Sequence, residues 1–307
     1  MVVQVSDSPW SDLRRPPLRP GPLRRILQSP LWTSVDVVAA TGSTNADLAA
    51  AARAGSVGAG AVLVTDHQRQ GRGRRDREWT APPRSSVIVS VLLAPQAAPH
   101  RVPPARWSWL PLLAGLAVTD ALVHIAGLDA RLKWPNDVLV DAPAGAPSAR
   151  GWHKVCGVLA EVVPTPAGQG VVVGIGLNVS QHQEELPGVG PGGIPAGSLF
   201  TLGSATTDRD TVLRALLRAL AGRCSAWLDA GGDPRASGVA AAYRERCMTI
   251  GREVTVHLPG GDLLTGVAEG VDDDGCLLVR PEDGSGVQAL AAGDVVHVRP
   301  AEGVADR

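Results

Sequence analysis

The chain is short of most features that would assign it quickly. It has four cysteines, Cys156, Cys224, Cys247 and Cys276, with no C-x-x-C pair and no zinc spacing. That excludes a zinc ribbon and a disulfide scaffold and leaves reduced packing thiols. Its net charge is −1, so its basic residues act locally and a general nucleic-acid coat is excluded. No apolar run reaches the length of a membrane span, and residues 1–30 lack the apolar stretch of a signal peptide. The expectation is a soluble, cytoplasmic protein. No internal repeat is evident. What remains is 307 residues with 44% apolar content, enough for one large domain with a full core plus a small one.

Residues 1–30 combine Pro16, Pro17, Pro20 and Pro22 with five arginines, a composition that predicts a flexible Pro/Arg-rich tail. From residue 31 the pattern alternates. Strands are expected at 35–39, 61–65, 85–93, 131–133, 138–140, 154–163 and 170–178. Helices are expected at 44–54 behind Ser43 or Thr44 as N-cap, at 107–126, at 210–230 and up to about Met248. Composition shifts at Gly251, after which four or five short β-like runs separated by Gly-Gly and Asp-Gly turns predict a small SH3-like barrel.

Five motifs carry chemistry. In Gln68-Arg69-Gln70-Gly71-Arg72-Gly73-Arg74-Arg75-Asp76-Arg77-Glu78-Trp79, five arginines are broken by two glycines. Glycines admit backbone N–H groups to an anion, and guanidiniums clamp one bidentately. The loop is neither a Rossmann turn nor a P-loop: the third glycine and the Gly-Lys-Ser/Thr are missing, and Pro82-Pro83 follow. Lys133-Trp134-Pro135-Asn136-Asp137 presents two polar residues at a strand end, although Pro-Asn-Asp alone is commonly just a turn. Lys154-Val-Cys-Gly157-Val-Leu159-Ala-Glu161 opens an apolar strand with a point charge. Gly174-Ile-Gly-Leu-Asn178 leaves space beside a strand for a flat ligand or a neighbouring backbone. Gly42-Ser43-Thr44-Asn45 is a helix cap that also offers hydroxyl, amide and backbone N–H groups.

In this order and spacing the motifs closely resemble the biotin–protein ligase (holocarboxylase synthetase) family, from about residue 35 to residue 300. The resemblance includes the ending Gly293-Asp294-Val295-Val296-His297-Val298-Arg299-Pro300. It implies an α+β fold in which a mixed sheet flanked by helices (31–248) precedes an SH3-like domain (249–307). It implies an enzyme that makes biotinyl-5′-AMP from biotin and MgATP. That enzyme then passes biotin to one lysine of the biotin carboxyl carrier domain of an acetyl-CoA or acyl-CoA carboxylase. Mg²⁺ would come with ATP rather than sit in a protein cage, and neither DNA nor membrane would be a partner. On the matched positions Ser43, Thr44, Asn45, Gln68, Gly71, Arg72, Gly73, Arg74, Lys154, Gly157, Leu159 and Gly174 would hold biotin. Arg74, Trp79, Asn136, Lys154 and Asn178 would hold ATP and the adenylate. Lys154, Arg74 and Asp137 would carry the catalysis.

Three departures bear on that resemblance. Asp76 stands where many relatives carry glycine. Residues 141–153 form an insertion, expected to be a surface loop. Strict strand alternation would put Lys154 and Leu159 on opposite faces, so one site for both needs a bulge or a strand-mouth position. With only thirty residues ahead of the catalytic region, no winged helix-turn-helix is expected. The arginine loop is expected to be mobile. The alternatives are a lipoate or octanoate ligase or transferase of the same fold, a biotin sensor without catalysis, and a nucleic-acid-binding module. The last is opposed by the acidic neighbours of the arginine loop and the nearly aromatic-free barrel.

Overall fold

Strong β-formers and apolar periodicity are realised as a seven-stranded mixed sheet. The computed structural model describes residues 15–75, 77–189, 193–258, 261–291 and 293–297. Asp76, the first fourteen residues of the expected tail and residues 298–307 lie outside the described residues. Strands β1 (Ser34–Val38), β2 (Ala61–Thr65), β3 (Ser86–Leu93), β4 (Ala130–Lys133), β5 (Asp137–Asp141), β6 (Trp152–Thr165) and β7 (Gly168–Asn178) run in the order β1-β2-β3-β7-β6-β5-β4. The β1–β2 pair is parallel and the others are antiparallel.

The central strand β3 is buried along its whole length, which is why it reads as an unbroken apolar run. Its odd residues, Val87, Val89, Val91 and Leu93, join the main core beneath α3 (Trp109–Ala121) and α4 (Arg209–Asp229). Leu92 points the other way, into a second cluster with Leu48, Ala49 and Ala52 of α2 (Thr44–Arg53). Ser43 caps α2 by accepting from the Ala46 N–H at 3.4 Å. A short turn, α1 (Pro20–Leu23), and α5 (Val239–Arg246) complete the helices.

Two expectations change. The segment from residue 15 to 25 is not a free tail: Leu18 and Leu23 are buried. Their burial stabilises the contact by roughly 1.5–3 kcal/mol each. Arg15 pairs with Glu185, Arg19 with Asp210, and the Pro16 carbonyl accepts from Arg209, so part of the charge that suggested a solvated tail is met by partners. The insertion lies at the surface as expected, with the Ser148 N–H donating to the Thr201 carbonyl at 2.9 Å. Finally, α3 joined to its flanking turns gives a helix over Pro104–Ala126 of 23 residues and mean hydropathy 1.6, long and apolar enough to span a membrane. Within its most apolar window 72% is buried inside the protein, and Gly127 at φ 67° ends it.

The C-terminal unit is a five-stranded antiparallel sheet of β8 (Glu253–His257), β9 (Leu263–Val271), β10 (Leu277–Pro281), β11 (Gln288–Leu290) and β12 (Asp294–His297), in the order β11-β10-β9-β8-β12. Two tryptophans grip its β9–β10 turn. Trp109 Nε1 donates to the Asp273 carbonyl at 2.9 Å and Trp134 Nε1 to that of Gly275 at 3.3 Å. Each indole thus buries its apolar body and still places its N–H.

Candidate active site

The arginine loop folds back on itself. Trp79 N–H donates to the Gly71 carbonyl at 2.9 Å and Gly73 N–H to that of Arg77 at 2.6 Å. Glycine is required at 71 because a Cβ there would lie 2.1 Å from the Trp79 carbonyl oxygen and 2.5 Å from Gln68 Nε2. The described part of the loop is thus paired across its neck as a hairpin, and the space beside Gly71 is taken by Trp79 and Gln68 of the same motif. Three of its arginines reach back to other parts of the protein, although Arg72 and Arg75 remain exposed. Arg72 pairs with Glu161 at 2.9 Å, Arg74 Nη1 reaches Asn136 Oδ1 and the Gly293 carbonyl at 3.4 Å each, and Arg75 donates to the His257 carbonyl at 2.7 Å.

Beneath the hairpin lies a cavity of about 130 Å³. It brings together Ser43, Thr44, Asn45, Gln68, Arg72, Gly73, Arg74, Trp79, Asn136, Lys154, Gly157, Leu159 and Gly174. Gly71 lies behind this wall rather than in it. The floor is a fixed hydrogen-bond network. Gln68 Oε1 accepts from Thr44 N at 2.9 Å and from Thr44 Oγ1 at 3.1 Å. Ser90 Oγ lies 2.7 Å from Thr44 Oγ1 and 2.6 Å from Asn45 Oδ1. With its oxygen so engaged, the Gln68 carboxamide keeps its N–H₂ for other partners.

A second cavity of about 310 Å³ adjoins the first, and Trp79, Asn136 and Lys154 line both. Asp137 and Asn178 lie here, as do Lys133 and, from the C-terminal unit, His257, Val295 and Val296. The Lys133-to-Asp137 motif divides its labour. Trp134 and the Lys133 ammonium, which donates to the Val295 carbonyl, hold the C-terminal unit, while Asn136 and Asp137 face the cavities. Lys154 Nζ lies 2.6 Å from Asp137 Oδ1. Asn178 is buried, donating to the Gly197 carbonyl at 3.0 Å and accepting from Gln181 at 2.9 Å.

The Lys154 conflict resolves as a bulge. Cys156 faces Val138 and Lys154 faces Leu139, so β6 advances two residues against one on β5. The extra residue brings Lys154 to the face of Gly157, where a Cβ would lie 3.7 Å from Lys154 Cε. Cys156 goes to the core. Burial pushes its thiol well above the usual range, so no thiolate is on hand at neutral pH. The glycines of β7 also serve the protein itself. A Cβ on Gly174 would lie 2.1 Å from Asn45 Oδ1, and one on Gly176 would lie 2.6 Å from the Trp79 ring. Trp79 Nε1 is buried and has no hydrogen-bond partner among the described residues.

Sequence reasoning passed over Ser90 and the wall that the C-terminal unit gives the second cavity, and it quoted Glu161 and Gly176 within motifs without giving either a role in the site. Two signals were there to find. Ser90 is a lone hydroxyl amid valines and leucines. Lys133 and Lys154 are also the two lysines of a chain with 29 basic residues, and both line the second cavity.

Comparisons with known proteins agree with this architecture. The biotin/lipoate A/B protein ligase family matches residues 37–178, and the biotin protein ligase C-terminal domain matches residues 249–298. The biotin–[acetyl-CoA-carboxylase] ligase of Mycobacterium tuberculosis is 43% identical over 293 residues, covering 94% of this chain and 98% of that one. The ligase of the same name from Paracoccus denitrificans is 32% identical, with coverage of 84% and 98%. A structure of the biotin protein ligase from Aquifex aeolicus in complex with biotin and ATP aligns with a TM-score of 0.66. It is 26% identical and covers 88% of this chain and 100% of that one. The chain belongs to the biotin–protein ligase family.

Proposed function

We propose that this chain is an ATP-dependent ligase that activates biotin as biotinyl-5′-AMP and transfers it to a lysine of a carboxylase carrier domain. The observation that carries this reading is the pair of adjoining cavities meeting at Lys154, Trp79 and Asn136. One is small and lined with oriented amides and hydroxyls, and suits a compact ureido-ring acid. The other is larger and flanked by cations, and suits a nucleotide.

The chemistry begins with two anions. A biotin carboxylate oxygen attacks the α-phosphorus, a P–O bond forms, and the bond to the β-phosphate breaks to release pyrophosphate. Lys154 and Arg74 offset the repulsion and the charge that develops. Mg²⁺ brought in with ATP would neutralise charge on the phosphates. In the second step the acceptor amine attacks the acyl carbon and AMP leaves, so no enzyme nucleophile is needed. Asp137, held by Lys154, orients that amine and takes its proton. Asp137→Asn is then expected to slow transfer from preformed adenylate by 10²-fold or more, of the order of a general base. Transfer at the full rate would remove Asp137 from this role. The acceptor as a carrier domain of acetyl-CoA carboxylase rests on the names of the relatives.

The direct test of the first step is pyrophosphate exchange into ATP. It should require biotin and be absent with lipoate or octanoate. Exchange driven by lipoate instead would reassign the substrate within the family.

A further inference from the structure

Glu161 is absent from the walls of both cavities, yet it occupies both of its oxygens on groups that line the first. Oε1 accepts from Arg72 Nη2 at 2.9 Å, and Oε2 accepts from Asn45 Nδ2 at 2.8 Å. Asn45 is fixed from its other side by Ser90, 2.6 Å from its Oδ1, and by its own second donation to the Leu159 carbonyl. Ser90 also meets Thr44, and Thr44 meets Gln68. Gln68 begins the arginine hairpin and Arg72 enters its closed part. One continuous chain of side chains therefore runs beneath the cavity and ties the first arm of the hairpin down at two points, Gln68 and Arg72, with Glu161 as the link to Arg72.

An exposed ion pair alone would mean little, since solvent screens it. Here the carboxylate bridges two separate elements, and one of them, Asn45, is buried with an orientation that leaves no slack. Gly174 repeats the constraint from β7, because any Cβ there would collide with the same carboxamide. We infer that Glu161 is a positioning residue. It holds Arg72 and Asn45 in the geometry that receives the acid substrate and keeps the hairpin closed over it, without itself touching substrate. The assignment of that substrate as biotin rests on the function proposed above.

The test has two arms on the full chain. In the ligand-free protein, Glu161→Gln keeps size and polarity but replaces an acceptor with an amide donor facing Arg72 or Asn45. Hydrogen exchange at the Gly73 and Trp79 amides, which close the hairpin, should rise about tenfold or more in this variant. Amides of the β3 core should be unchanged. In steady-state adenylation, the same variant should raise the KM for biotin about tenfold, leave the KM for ATP and kcat within about twofold, and recover in part in Glu161→Asp. Arg72→Gln combined with Glu161→Gln should be no worse than the poorer single variant, as coupled partners behave. Unchanged exchange in the hairpin, or equal losses in both KM values and kcat, overturns the inference. Failure of the wild-type chain to adenylate biotin would overturn the assigned substrate, and the exchange arm would still decide whether Glu161 holds the hairpin.

Discussion

The two cavities are built on different principles. Every wall of the smaller one comes from the large sheet, α2 and the arginine hairpin, and its polar groups are oriented by one another before any ligand arrives. Part of the larger one is supplied by the C-terminal unit through His257, Val295 and Val296. That unit is held by two indole N–H groups, the Lys133 ammonium and Arg75. A preorganised pocket should tolerate loosening of the C-terminal unit, whereas a composite pocket should not. Selectivity for the acid would thus be set within one domain, and handling of the nucleotide by the fit between two.

Removing Lys154, which lines both cavities, should have the largest effect. Lys154→Ala is expected to cut adenylate formation by 10²- to 10³-fold, in line with loss of a preorganised charge. Biotin binding by calorimetry should weaken only several-fold; an equal loss in both would erase the distinction between chemistry and binding. Next, Arg74 spans the boundary, bonded to Asn136 and to Gly293 of the C-terminal unit. Arg74→Gly should release labelled adenylate about tenfold faster, and normal retention would refute a clamp.

A pair of glycines on β7 sharpens the comparison further. Gly174→Ala drives into Asn45 and Gly176→Ala into the Trp79 ring. The first should raise mainly the KM for biotin and the second mainly that for ATP, each by about tenfold. The same response from both would mean the cavities act as one.

The smallest expected effect is on stability. His297 donates to or accepts from Thr249 Oγ1 at 3.1 Å, and Thr249 also receives the Trp134 N–H. Burial, with Lys133 and Arg252 nearby, pushes the imidazole down to about 4. A free histidine takes its proton near 6.5. Between those values the unfolded chain binds a proton that the folded chain refuses, so stability falls as pH drops from about 6.5 to about 4. The ring is partly open to solvent, so the loss should be of order 1 kcal/mol. Denaturant unfolding of His297→Gln should lack that slope, and an unchanged slope would place its origin elsewhere.

Much of this was legible in the sequence because local chemistry fixed it. Ser43 caps a helix, the β3 run is buried on both faces, and a glycine-separated run of short strands makes a small barrel. The five motifs drew attention to nearly all the residues that line the smaller cavity. What stayed hidden depends on partners distant in sequence. Leu18 and Leu23 look solvated among prolines and arginines until the core they pack against is present. The Lys154 bulge is a matter of register between β5 and β6, which no single strand encodes. Likewise, the β7 glycines look like openings for a ligand, whereas Asn45 and Trp79 come from elsewhere in the chain to fill them.

The central claim is tested most directly by incubating the chain with labelled biotin, MgATP and a purified biotin carrier domain, beside a carrier whose acceptor lysine is replaced. The account predicts ATP-dependent label on the native carrier and none on the replaced one. Label on neither, with no adenylate formed, would contradict it.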